Sequence, residues 1–164
     1  MHLFFLRHGE AEERRPGLRD ADRHLTPEGI AEMQMVAAGL AALDVKVDRV
    51  LSSPLPRALE TAQLAAEALG ISAGSVVTDA RLEAGAFRLG SLQSLLETEP
   101  RSARLLLVGH EPDFSMVVGQ LVGGAAIEFK KAGVARVEID RLEPGHGVLR
   151  WLLTPQILTL LAKR

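Results

Sequence analysis

The sequence contains no cysteine, and only 4% of its 164 residues are aromatic. The absence of cysteine excludes a thiolate nucleophile, cysteine-ligated zinc and disulfide bonds, and it suits a reducing compartment, so a cytoplasmic protein is expected. The scarcity of aromatic rings and a net charge of −2 leave neither the stacking platform nor the positive field that nucleic-acid binding usually requires. A nucleic-acid partner is therefore not expected.

The sequence also lacks long hydrophobic runs. No stretch of about 18 apolar residues occurs, so neither a membrane span nor a membrane partner is predicted. The apolar run Leu3–Leu6 is interrupted by Arg7 and His8, which is too early for the core of a signal peptide. With 47% hydrophobic and 24% charged residues, the chain has the balance of one globular domain over residues 1–164.

Short apolar runs alternate with longer stretches of helical period. This alternation predicts a three-layer α/β/α fold with a mainly parallel central sheet. The predicted strands are Leu3–Leu6, Val45–Leu51, Val76–Val77, Leu105–Val108, Val134–Ile139 and Val148–Leu153, the first four of them buried. The last two flank a turn at residues 143–145, and they are expected to form an antiparallel pair at the edge of the sheet.

Boundary residues predict two of the helices in detail. Thr26 is the expected N-cap of the first helix, which should bury Ile30 on its apolar face. The second helix is expected to begin at Ser53–Pro54 and to end near Gly70, since glycine can adopt the left-handed conformation that closes a helix.

Charged and aromatic side chains with useful chemistry follow three of the predicted parallel strands. Arg7 and His8 come after the first strand, Arg57 follows the second, and His110 follows the Leu105–Val108 strand. Because ligands bind beyond the carboxyl ends of parallel strands, we expect these four side chains to converge.

Two arginines and two histidines at one place favour phosphoryl transfer. The planar fork of arginine binds phosphate oxygens and offsets the charge that builds on them. A neutral imidazole at His8 can attack phosphorus if its other nitrogen is held by a hydrogen bond, for which a carbonyl near Gly9 is available. Arg57 lies in the first turn of its predicted helix, where the helix dipole adds to the attraction for an anion.

At these residues the sequence resembles the histidine phosphatase superfamily, also called the phosphoglycerate mutase-like family. The resemblance lies in the segments Leu6–Glu10, Arg23–Gly29, Ser52–Ala62 and Val108–Pro112, in the order that the family shows. The compact length and Thr154–Pro155 before the last helix are most similar to the short, SixA-like phosphohistidine phosphatases. The resemblance implies a phosphoglycerate mutase-like fold, a phosphohistidine intermediate on His8, and a metal-independent, cofactor-free phosphate pocket completed by Arg7, Arg57 and His110.

Two segments differ from the larger members of that family. The larger members carry an asparagine in the loop after Glu10, whereas this chain continues with Ala11–Arg15. They also place a proton-donating glutamate after the third strand, and Glu83 stands near that position as a candidate catalytic acid. The basic residues between positions 14 and 23 are interleaved with acidic ones, which favours a solvated loop over a docking surface.

The function predicted from the sequence is hydrolysis of phosphohistidine on another protein. Only a loop and one short helix fit into Asp79–Arg104, so no lid domain is expected and the site should be open to a phosphorylated side chain. An alternative is a phosphatase or mutase acting on a small phosphorylated substrate, with Glu83 as general acid. A non-catalytic module that binds phosphorylated partners is a third hypothesis.

A zinc site at His8 and His110 is a further possibility that the sequence disfavours. The nearest acidic residues, Glu10 and Glu111, are close in sequence to the histidines rather than spaced for one tetrahedral shell, and nearby arginines repel a cation. No metal is therefore predicted.

Overall fold

The computed structural model describes residues 1–164 and contains six strands and five α-helices. The strands are β1 (His2–Arg7), β2 (Arg49–Ser52), β3 (Val77–Thr78), β4 (Arg104–Gly109), β5 (Val134–Ile139) and β6 (Gly147–Leu153). The helices are α1 (Pro27–Ala42), α2 (Pro56–Ala68), α3 (Leu89–Leu96), α4 (Asp113–Leu121) and α5 (Pro155–Ala162). No helix is long and apolar enough to cross a membrane.

All six strands form one sheet in the order β3-β2-β4-β1-β5-β6. The first four strands of the chain run parallel to one another, whereas β5 runs antiparallel to β1 and β6 runs antiparallel to β5. The predicted mainly parallel sheet with an antiparallel pair at its edge is confirmed.

The sheet separates two hydrophobic clusters, so β1 and β4 are apolar on both faces. Leu3 and Phe5 pack with α3 and α4 on one side, and Leu6 packs with α1, α2 and α5 on the other. Strands covered on both faces read as continuous apolar runs rather than as alternating ones, which is why these two were visible in the sequence. The three-layer α/β/α architecture is confirmed.

Three local predictions about strands and buried residues were wrong in detail. β2 begins at Arg49 instead of Val45, because the Val45 N–H bonds to the carbonyl of Leu40 and closes the end of α1. Ile30 is exposed rather than part of the apolar face of α1. β3 pairs only with β2 at the edge of the sheet, and its Val77 is 43% exposed instead of buried.

The start of α2 also differs from its prediction. The helix begins at Pro56, and Ser53–Pro54 lie in the connection before it. Because Ser53 lies outside the helix, its side chain can reach the residue that follows β4. The other two helix boundaries agree with the sequence, since the Thr26 hydroxyl accepts from the Gly29 N–H and Gly70 has a φ of 76°.

Candidate active site

The register of the sheet brings the ends of three strands together. Arg7 of β1 lies opposite Gly109 of β4, and Ser52 of β2 lies opposite Val108. The backbone pairing continues one residue further, because the His8 N–H donates to the Gly109 carbonyl at 3.1 Å. As predicted from the strand ends, His8 and His110 become neighbours, with 5.2 Å between their ring centroids.

The His8 side chain is buried and held by its own loop. Its Nδ1 lies 2.8 Å from the Gly9 carbonyl oxygen, which can only accept, so the neutral ring carries its proton on Nδ1 and a lone pair on Nε2. Burial, aided by the positive charges of Arg57 and Arg7, lowers the pKa of His8 to about 4, although the hydrogen bond to Gly9 acts in the opposite direction. At neutral pH His8 is therefore an uncharged imidazole with a lone pair available on Nε2.

His110 is held through its other ring nitrogen. Its Nε2 lies 2.8 Å from the Ser53 hydroxyl, which also accepts from the Leu55 N–H at 3.3 Å. Burial, reinforced by the proximity of His8 and by the positive charge of Arg57, lowers the pKa of His110 to about 3, so this ring is also neutral. If Ser53 donates to Nε2, the single ring proton of His110 lies on Nδ1.

Three nitrogen atoms around the two histidines are buried without a hydrogen-bond partner. They are Nε of Arg7, Nε of Arg57 and Nδ1 of His110. Buried donors without a partner are uncommon because each costs roughly 1–3 kcal/mol of free energy. Two guanidinium groups and one imidazole with unused donors suit an anion with several oxygens, which is what a phosphoryl group offers.

A hydrogen bond to a backbone carbonyl holds the Arg7 side chain, and a hydrogen bond from a side chain holds the backbone of Arg57. Arg7 donates from Nη1 to the Phe129 carbonyl at 2.7 Å. Arg57 is the second residue of α2, and its carbonyl accepts from the Thr61 hydroxyl at 2.7 Å. The same hydroxyl accepts from the Gly9 N–H at 3.1 Å, so Thr61 connects the first turn of α2 to the loop of His8.

The loop that carries Glu83 passes beside the end of β4. Leu82 is buried, and its carbonyl oxygen lies 3.5 Å from where a Cβ on Gly109 would be. Buried Asp113 anchors the loop by accepting from the Gly85 N–H and from Arg88 Nη1, both at 2.7 Å. The Glu83 side chain is half-buried and makes no hydrogen bond.

The loop between β1 and α1 is closer to the site than its charge pattern indicated. The sequence predicted that this loop is solvated. Asp20 in this loop nevertheless accepts from Arg57 through its backbone carbonyl at 2.7 Å and through its carboxylate at 3.0 Å. Burial would raise the pKa of Asp20, but hydrogen bonds and charges from Arg23, Arg57 and Arg14 lower it to about 2. Asp20 is thus a carboxylate held against a candidate phosphate ligand.

No lid domain lies between β3 and β4, but two loops lie against the side chains of the site. Only α3 and short turns connect β3 to β4, as expected from the length of that segment. Nevertheless the side chains of Arg57 and His110 are buried, because the β1–α1 loop lies against Arg57 and the Glu83 loop lies against the end of β4.

The acidic residues that were considered as zinc ligands have other partners. Glu10 accepts from Lys131 Nζ at 2.7 and 2.8 Å, and Glu111 accepts from the backbone and hydroxyl of Ser115. Nowhere does the structure gather three or more His, Asp or Glu side chains in a group that could hold a metal ion.

Four contributing residues were not assigned a role from the sequence. Ser53 and Thr61 lie inside the Ser52–Ala62 motif, and the spacing of Thr61 four residues after Arg57 places both on one helix face. That spacing was a usable signal. Asp20 and Asp113 carried none, since each reaches a partner that is distant in sequence.

Comparisons with known proteins agree with this geometry. Residues 3–88 match the model of the histidine phosphatase superfamily (branch 1). The chain is 36% identical over 145 residues to an uncharacterised protein from Picosynechococcus, with 82% of each chain covered. It is 29% identical over 156 residues to the phosphohistidine phosphatase SixA of Escherichia coli, with 94% of each chain covered. A solved structure of the protein histidine phosphatase SixA complexed with tungstate superposes with a TM-score of 0.84 at 27% identity, covering 96% of this chain and 99% of the other.

Proposed function

Because the chain belongs to the histidine phosphatase superfamily, we propose that it is a metal-independent phosphatase that acts on phosphohistidine in another protein. His8 is the nucleophile, and Arg7, Arg57 and His110 bind the oxygens of the transferred phosphoryl group. Glu83 is the candidate proton donor to the leaving group.

The observation that carries this proposal is the state of His8. Its Nδ1–H is held by the Gly9 carbonyl and its pKa is lowered to about 4, so Nε2 has an available lone pair at neutral pH. In the first step this lone pair forms a bond to phosphorus while the bond from phosphorus to the substrate nitrogen breaks, and the departing imidazole takes up a proton from Glu83 or solvent. In the second step water attacks phosphorus, the bond from phosphorus to Nε2 of His8 breaks, its electron pair returns to Nε2, and inorganic phosphate carrying the protons of the water leaves.

Two observations favour protein phosphohistidine over other substrates. The chain aligns over 94% of its length with a phosphohistidine phosphatase, and only α3 and short turns lie between β3 and β4, where a lid domain would be inserted. Phosphohistidine also requires little help from an acid, because its imidazole leaves as a neutral molecule once it is protonated.

A small phosphorylated substrate is the second candidate, and the position of Glu83 favours it. An alkoxide leaving group needs a positioned acid, and Asp113 anchors the Glu83 loop, which passes beside Gly109 at the end of β4. In that case the parent protein should hydrolyse a sugar or glycerate phosphate much faster than any phosphohistidine protein.

Turnover measurements with two histidine variants test the proposal. His8→Ala is expected to abolish hydrolysis of a phosphohistidine protein while the far-UV circular dichroism spectrum stays unchanged. His24→Ala is the matched control, because His24 is an exposed histidine that pairs with Glu60. Rapid quenching of the parent with labelled substrate should trap acid-labile, alkali-stable label on His8. Label on serine, parental activity in His8→Ala, or phosphate binding without any turnover would contradict it.

A further inference from the structure

Asp20 accepts one N–H from each of the two terminal nitrogens with which Arg57 would bind a phosphoryl group. Arg57 Nη1 donates to the Asp20 backbone carbonyl at 2.7 Å, and Nη2 donates to the Asp20 carboxylate at 3.0 Å. The Arg57 side chain is only 3% exposed, whereas that of Asp20 is 38% exposed. One residue at the protein surface therefore engages both terminal nitrogens of a buried guanidinium.

The same carboxylate is shared by two further arginines. Arg23 donates to Asp20 Oδ1 at 2.9 Å, and Arg14 donates to that oxygen at 3.2 Å. Arginine binds carboxylate and phosphate oxygens through the same charge-assisted hydrogen bonds. Three guanidinium groups around one carboxylate therefore also suit a phosphate. The Asp20 carboxylate thus occupies a position that suits an anion.

The loop that carries Asp20 is tethered at both ends and weakly packed between them. Its ends are joined by the bridge between Ala11 and Leu25 and by the bond from the Glu12 N–H to the His24 carbonyl. Most residues between positions 13 and 22 are exposed. Segments with few buried contacts open at low free-energy cost, so the Asp20 contact can be exchanged without disturbing the sheet.

We infer that Asp20 is a specificity-determining residue that competes with the substrate phosphoryl group for Arg57. The inference rests on the phosphate site of the proposed function and adds a step to it: the phosphoryl oxygens displace Asp20 to gain the two N–H groups of Arg57 that it holds. Anions that bind weakly elsewhere in the site are thereby excluded, because they cannot offset the loss of a charge-assisted contact. Displacement also frees the nitrogens of Arg14 and Arg23 that Asp20 held, while Arg23 keeps its bond to the Glu12 carbonyl.

The opposite hypothesis is that Asp20 remains in place and orients Arg57 for phosphate. The two hypotheses predict opposite effects of removing the Asp20 charge, so inorganic phosphate is a sufficient probe. Isothermal titration calorimetry with phosphate should give a dissociation constant about tenfold lower for Asp20→Asn than for the parent, which corresponds to about 1.4 kcal/mol. An unchanged or weaker affinity in Asp20→Asn overturns the inference.

Two controls separate competition at Arg57 from a general change of charge. Asp22→Asn removes a negative charge from the same loop, but Asp22 pairs only with Arg19, so this variant should bind phosphate like the parent. In an Arg57→Gln background, Asp20→Asn should give no tightening. Equal tightening in Asp22→Asn, or tightening that persists in the Arg57→Gln background, would contradict competition at Arg57.

A measurement on the unmodified protein covers the case in which Asp20→Asn does not fold. Hydrogen exchange of the amides between positions 13 and 22 should become faster when saturating phosphate is added, because displaced Asp20 no longer tethers the loop. Slower or unchanged exchange would overturn the inference. Neither measurement requires turnover, so the inference can stand if the protein proves inactive on phosphohistidine, and it can fail while that activity is present.

Discussion

His8 and His110 stand directly on the ends of β1 and β4, whereas Asp20 and Glu83 reach the site on loops that approach it from outside. The two strands are adjacent and central in the sheet, and their backbone pairing continues up to the two histidines. The strand-end side chains are therefore positioned by the core of the protein.

The loop residues, by contrast, depend on a few anchoring side-chain contacts. The Asp20 loop is held against the site through Arg57, and the Glu83 loop is held by the buried carboxylate of Asp113. Under the proposed function, this difference separates two tasks in the molecule. The groups proposed to carry out phosphoryl transfer lie at strand ends and on the first turn of α2, whereas the groups proposed to choose between substrates lie on loops that fewer contacts hold in place.

The largest effect is expected at Arg57, where the two regions meet. Arg57→Lys keeps the positive charge but loses the planar fork, so kcat/KM for phosphohistidine should fall on the order of 1,000-fold. Arg104→Lys is the control, because Arg104 pairs with Asp48 at the opposite end of β4. Steady-state kinetics of both variants check this prediction, and near-parental kinetics in Arg57→Lys would remove Arg57 from the phosphate site.

Glu83→Gln tests the division of tasks most directly. Without an acid, hydrolysis of an alkyl phosphate should slow by about 100-fold, whereas hydrolysis of phosphohistidine should slow by less than about threefold, since solvent can protonate imidazole. Glu13→Gln, in the exposed part of the other loop, should leave both rates unchanged. Equal losses on both substrates would show that Glu83 does not discriminate between leaving groups.

A smaller effect is expected at Ser53, which we place as a positioning residue for His110. Ser53→Ala removes the hydroxyl 2.8 Å from Nε2, and kcat should fall about fivefold, the cost of one ordinary hydrogen bond. Nitrogen NMR shifts should show the His110 proton on Nδ1 in the parent and on both nitrogens, in exchange, in the variant. Ser91→Ala is the control, because its hydroxyl bonds only to the Ala86 carbonyl. A tautomer that stays unchanged in Ser53→Ala would leave Ser53 without this role.

The same contrast explains how far the sequence could predict the molecule. Apolar runs buried on both faces located β1 and β4, and the residues after them were therefore placed correctly. The Gly9 carbonyl was also expected as the partner of His8, because it lies on the adjacent residue. Contacts between residues distant in sequence were missed, as at Asp20 and Asp113. Nothing in an interleaved charge pattern distinguishes a carboxylate in solvent from one that contacts a buried arginine.

The last prediction concerns two histidines whose pKa values should move in opposite directions. Burial lowers the pKa of His8 to about 4, whereas the hydrogen bond to Glu60 raises the pKa of exposed His24 above its usual value. His8 should thus stay neutral from pH 8 down to pH 6 and gain its proton only near pH 4. His24 should gain its proton at a higher pH than an ordinary histidine does. Folding excludes protons from His8, so the stability linked to this group is complete above pH 6.5 and is lost as the pH falls towards 4. Imidazole NMR titration of the parent and of His24→Ala checks both midpoints and their assignment. A titration midpoint near pH 6.5 for His8 would mean that its imidazole is not desolvated in the site.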